Sequence, residues 1–223
     1  MDDNEFLSSA AKRLSADSEE TRYSALEDLV EKRSTEILPL LIEALNDSSR
    51  RVREKSLEGI CSFPQDIIFP KLEDFLRNED NANLRSAAME AFPRYGKVAT
   101  SYLLRLLNDP NNEVRMFSAN ILGEICDPSA VDDLINALND PDENVISASI
   151  ESLGKIGDAR AVETLINCLY QEFWIQYPAI IALGEIGDPS AIQHLNTLLD
   201  DVMFREAVIE SLEKIGVVSP IHS

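Results

Sequence analysis

Asn112–Pro141 reads NEVRMFSANILGEICDPSAVDDLINALNDP, Asp142–Gln171 reads DENVISASIESLGKIGDARAVETLINCLYQ, and Glu172–Asp201 reads EFWIQYPAIIALGEIGDPSAIQHLNTLLDD. The three blocks repeat one plan at a period of about 30 residues, which marks a stacked array of small units rather than one closed core. In the first block Val114, Phe117, Ile121 and Leu122 fall at helical spacing, and so do Val131, Leu134, Ile135 and Leu138. Each set describes one buried helical face. Between them stands Cys126-Asp127-Pro128-Ser129, where Asp127 can cap the next helix and Pro128 suits its first position. The device recurs at Gly187-Asp188-Pro189 and, without proline, at Gly157-Asp158-Ala159. Each block therefore predicts a first helix, a tight turn and a second helix.

The glycines keep the same register. All eight (Gly59, Gly96, Gly123, Gly154, Gly157, Gly184, Gly187 and Gly216) fall in the second half of a first helix or in its exit turn. A left-handed residue that ends a helix accounts for those in the turn. Gly123, Gly154 and Gly184 sit inside the helix, where glycine costs about 1 kcal/mol relative to alanine. Close packing of the second helix against the first is the expected reason.

Working outward, degenerate copies appear. Leu84-Arg85, Phe92 and Leu103–Leu107 repeat Val114-Arg115, Leu122 and Leu134–Leu138; Val52-Arg53, Ile60 and Leu72–Leu76 do so again, as do Thr21-Arg22, Leu29 and Leu41–Leu45. Phe204-Arg205, Ile209, Leu212 and Gly216 give one further first helix. The expected organisation is a single solenoid over 1–223, with a capping helix at 1–16. Repeats fall near 17–47, 48–80, 81–110, 111–141, 142–171 and 172–200, and an incomplete one at 201–223. Where that last repeat should start its second helix, the chain reads Val217-Val218-Ser219-Pro220-Ile221. Such a tail either folds back on the last repeat or continues into a longer natural chain, and an uncapped end could pair two copies.

No stretch alternates with period two, no run of 18 apolar residues occurs, and no secretory leader precedes the array. Cys61, Cys126 and Cys168 lie in different repeats without CxxC spacing, which reads as reduced, mostly buried thiols of a cytoplasmic protein.

The shared pattern, V-R-x-x-A-x-x-x-L-G-x-I-G-D-P-x-A followed by leucines at helical spacing, resembles the HEAT repeat in the short form of phycobilisome lyases. The resemblance is close over Asn112–Asp201, loose over 17–111, and extends through one helix at 201–216. It implies an all-α fold, a right-handed α-solenoid of six to seven repeats. It also implies that second helices line the concave face and first helices the convex one. Asp132, Asp133, Asn136, Glu163, Asn167, Gln193, His194 and, upstream, Tyr102 then face a polar, mostly anionic groove. The family arginine after the valine, which usually ties neighbouring repeats to an acid, stands at Arg22, Arg53, Arg85, Arg115 and Arg205. Ile146 and Gln176 replace it.

The net charge is −20, and most of it is in the second half: residues 111–223 carry 5 Lys/Arg against 19 Asp/Glu. Nucleic acid and anionic membrane are recognised by cations, so both are excluded as expected partners. A protein or peptide with a basic surface fits better, although surplus acid also serves solubility.

One segment breaks the pattern. Tyr170-Gln171-Glu172-Phe173-Trp174-Ile175-Gln176-Tyr177-Pro178 holds the chain's only tryptophan, where sister blocks have polar linkers. Phe173 and Trp174 either plug the gap left by the lost arginine or, with Tyr177, offer a partner contact in an inter-helix turn. Pro178 falls near the first turn and a half of its first helix and is expected to kink or delay that helix.

The sequence does not read as an enzyme. His194 and His222 are the only histidines, and no nucleophile, phosphate-loop or metalloprotease motif occurs. No metal or cofactor is expected. The expected role is a scaffold that binds a protein partner. The resemblance also implies one enzymatic alternative, a bilin lyase, with the Tyr170–Tyr177 aromatics stacking on a linear tetrapyrrole and Arg105, Arg160 and Arg205 available to its propionates.

Overall fold

A computed structural model describes residues 2–32 and 34–217. Within them the chain forms fourteen α-helices and no strand. They are α1 (Asp3–Leu14), α2 (Glu19–Lys32), α3 (Leu38–Ala44), α4 (Arg50–Ile60), α5 (Gln65–Leu76), α6 (Ala82–Arg94), α7 (Thr100–Leu106), α8 (Asn112–Ile125), α9 (Val131–Asn136), α10 (Glu143–Ile156), α11 (Val162–Cys168), α12 (Phe173–Ile186), α13 (Ile192–Asn196) and α14 (Arg205–Ile215). After α1, first and second helices alternate, which is the plan of an α-solenoid. The expected tail at Val218–Ser223, with His222, lies outside the described residues. The chain divides into two compact units, one ending at Tyr95 and holding α1–α6, the other starting at Gly96 and holding α7–α14.

In the second unit the first helices are long and the second helices short, each entered through a 3-10 turn. Asp127, Asp158 and Asp188 cap those turns, accepting hydrogen bonds from the Ser129, Arg160 and Ser190 amides at 3.2, 2.9 and 2.8 Å. Val114, Leu122 and Leu134 are fully buried, as are their counterparts Val145, Leu153 and Leu165. Burial of such side chains is worth about 1.5–3 kcal/mol each, so this repeated layer is the main source of stability.

The interior glycines serve a different contact from the expected one. A Cβ on Gly123 would lie 2.9 Å from the Ser152 Cα, one on Gly154 2.8 Å from the Ala182 Cα, and one on Gly184 2.8 Å from the Ser211 Cα. The glycines thus seat each first helix against the first helix of the next repeat, not against a second helix. The Ser152 and Ser211 hydroxyls donate to the Ala119 and Ile180 carbonyls at 2.8 and 2.9 Å, so these close approaches carry no unpaired polar atom. Pro178 does not delay its helix. It sits inside α12, which starts at Phe173 without delay, although its missing N–H leaves the Trp174 carbonyl without its helical donor.

The exits of α10, α12 and α14 are left-handed at Gly157, Gly187 and Gly216, with φ of 73°, 75° and 98°. The same position after α8 is held by Cys126 at φ 53°. Its side chain is exposed and Cys61 is half-buried; only Cys168 is buried, so the thiols are not mostly buried as expected. A helix-ending turn lies at the surface, and a residue placed there for its φ follows it out.

Candidate functional site

Two of the five family arginines, Arg22 and Arg115, make one recurring clamp on an acid, while Arg53, Arg85 and Arg205 hold carbonyls of the incoming linker. Arg115 grips Asp140 with Nε and Nη2, both at 2.7 Å, and its Nη1 donates to the Asp109 carbonyl at 2.8 Å. Arg22 repeats this on Asp47 at 2.6 and 2.9 Å, and on the Ala16 carbonyl at 2.9 Å. The acid belongs to the arginine's own repeat and the carbonyl to the incoming linker, so the clamp closes both ends of one repeat. The fork matches a carboxylate geometrically, which is what selects arginine over lysine. The hydrogen bond from Arg115 holds the Asp140 carboxyl below its ordinary range against the opposing effect of desolvation, and Arg22 does the same to Asp47.

This clamp is missing at the two following joints. Ile146 stands for the arginine and Gln171 for the aspartate; one repeat later Gln176 stands for the arginine, and its Nε2 reaches only the Gln171 carbonyl, at 2.9 Å.

The residues expected to line a groove of second helices are largely surface residues. Asp132, Asp133 and Asn136 of α9, Glu163 and Asn167 of α11, and Gln193 of α13 are exposed. Asp132 pairs at 3.1 Å with Arg160, which also holds Asp158 and the Pro128 carbonyl. The Asp158 carboxyl is lowered chiefly by its hydrogen bond from Arg160. The half-buried His194 bonds the Tyr170 hydroxyl through Nδ1 at 2.8 Å, tying α13 to the end of the preceding repeat. Tyr102 is half-buried under Arg105, whose guanidinium lies 4.3 Å from the ring centroid. Asp133 and Glu163 hold no cation among the described residues.

Phe173, Trp174 and Tyr177 lie elsewhere. They belong to the first turns of α12, a first helix, not to an inter-helix turn. Phe173 and Tyr177 are 52 % and 50 % exposed, so they do not plug the core; Phe173 stacks on Phe204 with centroids 5.3 Å apart. With Trp174, Pro178 and Ile181 they form one wall of a groove of about 720 Å³; Ser147, Glu151 and Lys155 of α10 form the other, over a floor at Gly154 and Ala182. Lys155 is held by Glu124 at 2.6 Å, and Glu185 at the rim by Lys214 at 2.7 Å. Glu151 meets only the Ser147 hydroxyl, at 3.5 Å.

Pro178 and Ile181 were not expected at a surface site, yet a column comparison exposes them. Phe173, Trp174, Tyr177, Pro178 and Ile181 stand where the preceding repeat has Glu143, Asn144, Ser147, Ala148 and Glu151. Four polar positions outside the core become apolar or aromatic together and the buried Ala148 becomes the half-buried Pro178, while the buried column Val145–Ile175 stays apolar.

Among the described residues no group of three or more His, Cys, Asp or Glu side chains could hold a metal ion. No described helix is long and apolar enough to cross a membrane.

No curated protein matches the chain. Among solved structures, it is similar to the complex of CpcE and CpcF of phycocyanin lyase from Nostoc sp. PCC7120, at 25% identity and a TM-score of 0.58. That match covers 64% of this chain and 96% of the other. Importin beta gives a TM-score of 0.64 at 14% identity, over 95% of this chain and 37% of the other. Kap95p, in a structure of its binding to RanGDP, gives 0.61 at 14%, over 95% and 36%. The last two likenesses are of fold alone. Residues 7–93 and 100–174 match the model of HEAT repeats, and residues 175–201 that of the PBS lyase HEAT-like repeat. The chain belongs to the HEAT-repeat family.

Proposed function

We propose that this protein is a binding scaffold with no chemistry of its own, which takes a protein or peptide of basic surface along the second-helix side of its second unit. One observation carries the reading: this unit spends its cations on itself. Arg115, Lys155, Arg160 and Lys214 are each held by carboxylates of the same unit, Lys97 lies 3.8 Å from Asp127, Arg105 lies against the Tyr102 ring, and Arg205 donates to the Leu199 carbonyl at 3.0 Å. Asp133 and Glu163 remain exposed on adjacent second helices without a cation. A surface whose carboxylates outnumber its cations repels phosphate backbones and attracts Lys/Arg-bearing partners. The test is capture of partners from a lysate by wild type and by an Asp133→Lys/Glu163→Lys variant, followed by calorimetry with the captured protein. Affinity is expected to fall at least tenfold in the variant. Equal affinity would remove this surface from the site.

A second reading has its own support. The likeness to the phycocyanin lyase complex, together with a groove walled by Phe173, Trp174 and Tyr177, favours a bilin-binding protein. Arg160, a candidate for the bilin propionates, is already committed to Asp158 and Asp132. Titration with biliverdin decides this reading. A saturable red shift in visible absorbance supports it, and an unchanged spectrum at high micromolar protein eliminates it.

A further inference from the structure

We infer that the groove between α10 and α12 docks an amphipathic helix of a partner protein, with an apolar stripe on the floor and Lys or Arg flanking it. This shares with the main proposal only that the partner is a protein bearing Lys or Arg; the surface is a different one, on the first-helix side.

The walls are two helical ridges. Trp174, Pro178 and Ile181 stand at i, i+4 and i+7 of α12, and Ser147, Glu151 and Lys155 at i, i+4 and i+8 of α10. A third helix can lay its own ridge between them, as helices ordinarily pack. An extended peptide has no such fit. Its backbone donors and acceptors need partners, and the described residues offer no strand edge, while the floor and the α12 wall of the groove are largely apolar. A helix brings its backbone already satisfied.

Charge sets the flanks. Lys155 is engaged by Glu124, and Lys214 engages Glu185, while Glu151 holds no cation. In a stretch with 19 acids against 5 bases, a flanking Lys or Arg meets Glu151 without competing for an existing pair. The apolar wall is also specific to this repeat, since Phe173, Trp174, Tyr177 and Ile181 replace Glu143, Asn144, Ser147 and Glu151 of the preceding one. Where binding energy concentrates, aromatics that a partner covers, such as the half-buried Trp174, carry most of it.

Ile181→Glu tests the assignment with little risk to folding, because the preceding repeat carries Glu151 at that position. A display library of helical peptides is selected on wild-type protein and counter-selected on Ile181→Glu. Enriched peptides are then titrated while the emission of Trp174, the only tryptophan, is followed. Expected are apolar residues at i, i+3 or i+4, and i+7 with flanking Lys/Arg, and a saturable blue shift. Affinity should weaken at least tenfold in Ile181→Glu and stay unchanged in Asp133→Lys/Glu163→Lys. Enriched peptides without that periodicity, or no enrichment, overturn the proposal. So does a blue shift that grows with protein concentration alone, which assigns the groove to a second copy, or biliverdin quenching that Ile181→Glu abolishes.

Discussion

At the scale of single residues, Cys126 is the position where chain and conformation disagree. It adopts φ 53° at a helix exit where sister repeats have Gly157, Gly187 and Gly216. An L-residue in that region costs about 1–2 kcal/mol, and glycine about none. Glycine pays more entropy on folding, which offsets part of the gain. Cys126→Gly is therefore expected to raise stability by about 0.5–1 kcal/mol in urea unfolding, and Gly157→Ala to lower it by a similar amount. A destabilised Cys126→Gly would show that the thiol's 3.0 Å contact with the Gly123 carbonyl outweighs the strain. The clamped carboxylates give a pH dependence. Asp140 and Asp47 titrate lower in the folded chain than in the unfolded one, whose ordinary value is about 3.9. Their stabilisation is complete above that value and is lost as pH falls through the lower folded values. In dilute samples followed by circular dichroism, Asp140→Asn is expected to be less stable than wild type at pH 7, with the difference shrinking below about pH 4. A constant difference across that window would mean that Asp140 acts through packing and not through charge.

At the scale of elements, the interior glycines reverse a propensity rule. Alanine favours a free helix over glycine by about 1 kcal/mol, but at Gly154 its methyl would stand 2.8 Å from the Ala182 backbone. Backbone cannot step aside as a side chain can, so α10 and α12 must separate. Gly154→Ala is expected to destabilise by about 1–3 kcal/mol in denaturant unfolding, the usual range for overpacking. A gain instead would mean that the first helices slide freely on one another. Sequence periodicity revealed that something approaches these glycines closely, but not what. A column of small residues is equally compatible with a neighbour in the same repeat or in the next. Ser152, Ala182 and Ser211, themselves small and on the next first helix, were the readable sign of the second case. The aromatic segment failed for a related reason. Sister blocks are polar at Phe173 and Trp174, which suggests a linker, yet helices α8 and α10 already start with exposed polar residues. The α12 substitutions change the chemistry of that surface without moving the helix boundary. The missing clamp can be restored. Ile146→Arg with Gln171→Asp rebuilds the Arg115–Asp140 pair one repeat on, and the two substitutions are expected to couple favourably by about 0.5–1.5 kcal/mol in a double-mutant cycle. Strict additivity would place the two side chains out of reach.

At the scale of the whole molecule, two electrostatic effects oppose each other, and salt separates them. Ion pairs such as Arg51–Glu20 and Lys214–Glu185 join surface side chains, and pairs of this kind contribute little each. Against them stands a chain of 40 acids and 20 bases, whose surplus carboxylates repel one another at distances that added salt screens. Since the pairs are weak and the surplus is large, screening is expected to help. The melting temperature at pH 7 should rise by about 2–5 °C between roughly 10 mM and 300 mM NaCl, before any specific ion effect enters at higher concentration. A falling melting temperature would mean that the ion pairs dominate. The same salt series should act oppositely on function. The proposed association of a basic partner with Asp133 and Glu163 would be steered by the field of the second unit, so its on-rate should drop at least tenfold over that range while dissociation changes little. A helix seated in the α10–α12 groove is held chiefly by apolar contact, and its affinity should fall far less. Measuring both salt dependences by stopped flow separates the charged surface from the aromatic one, since a single shared site would give a single slope.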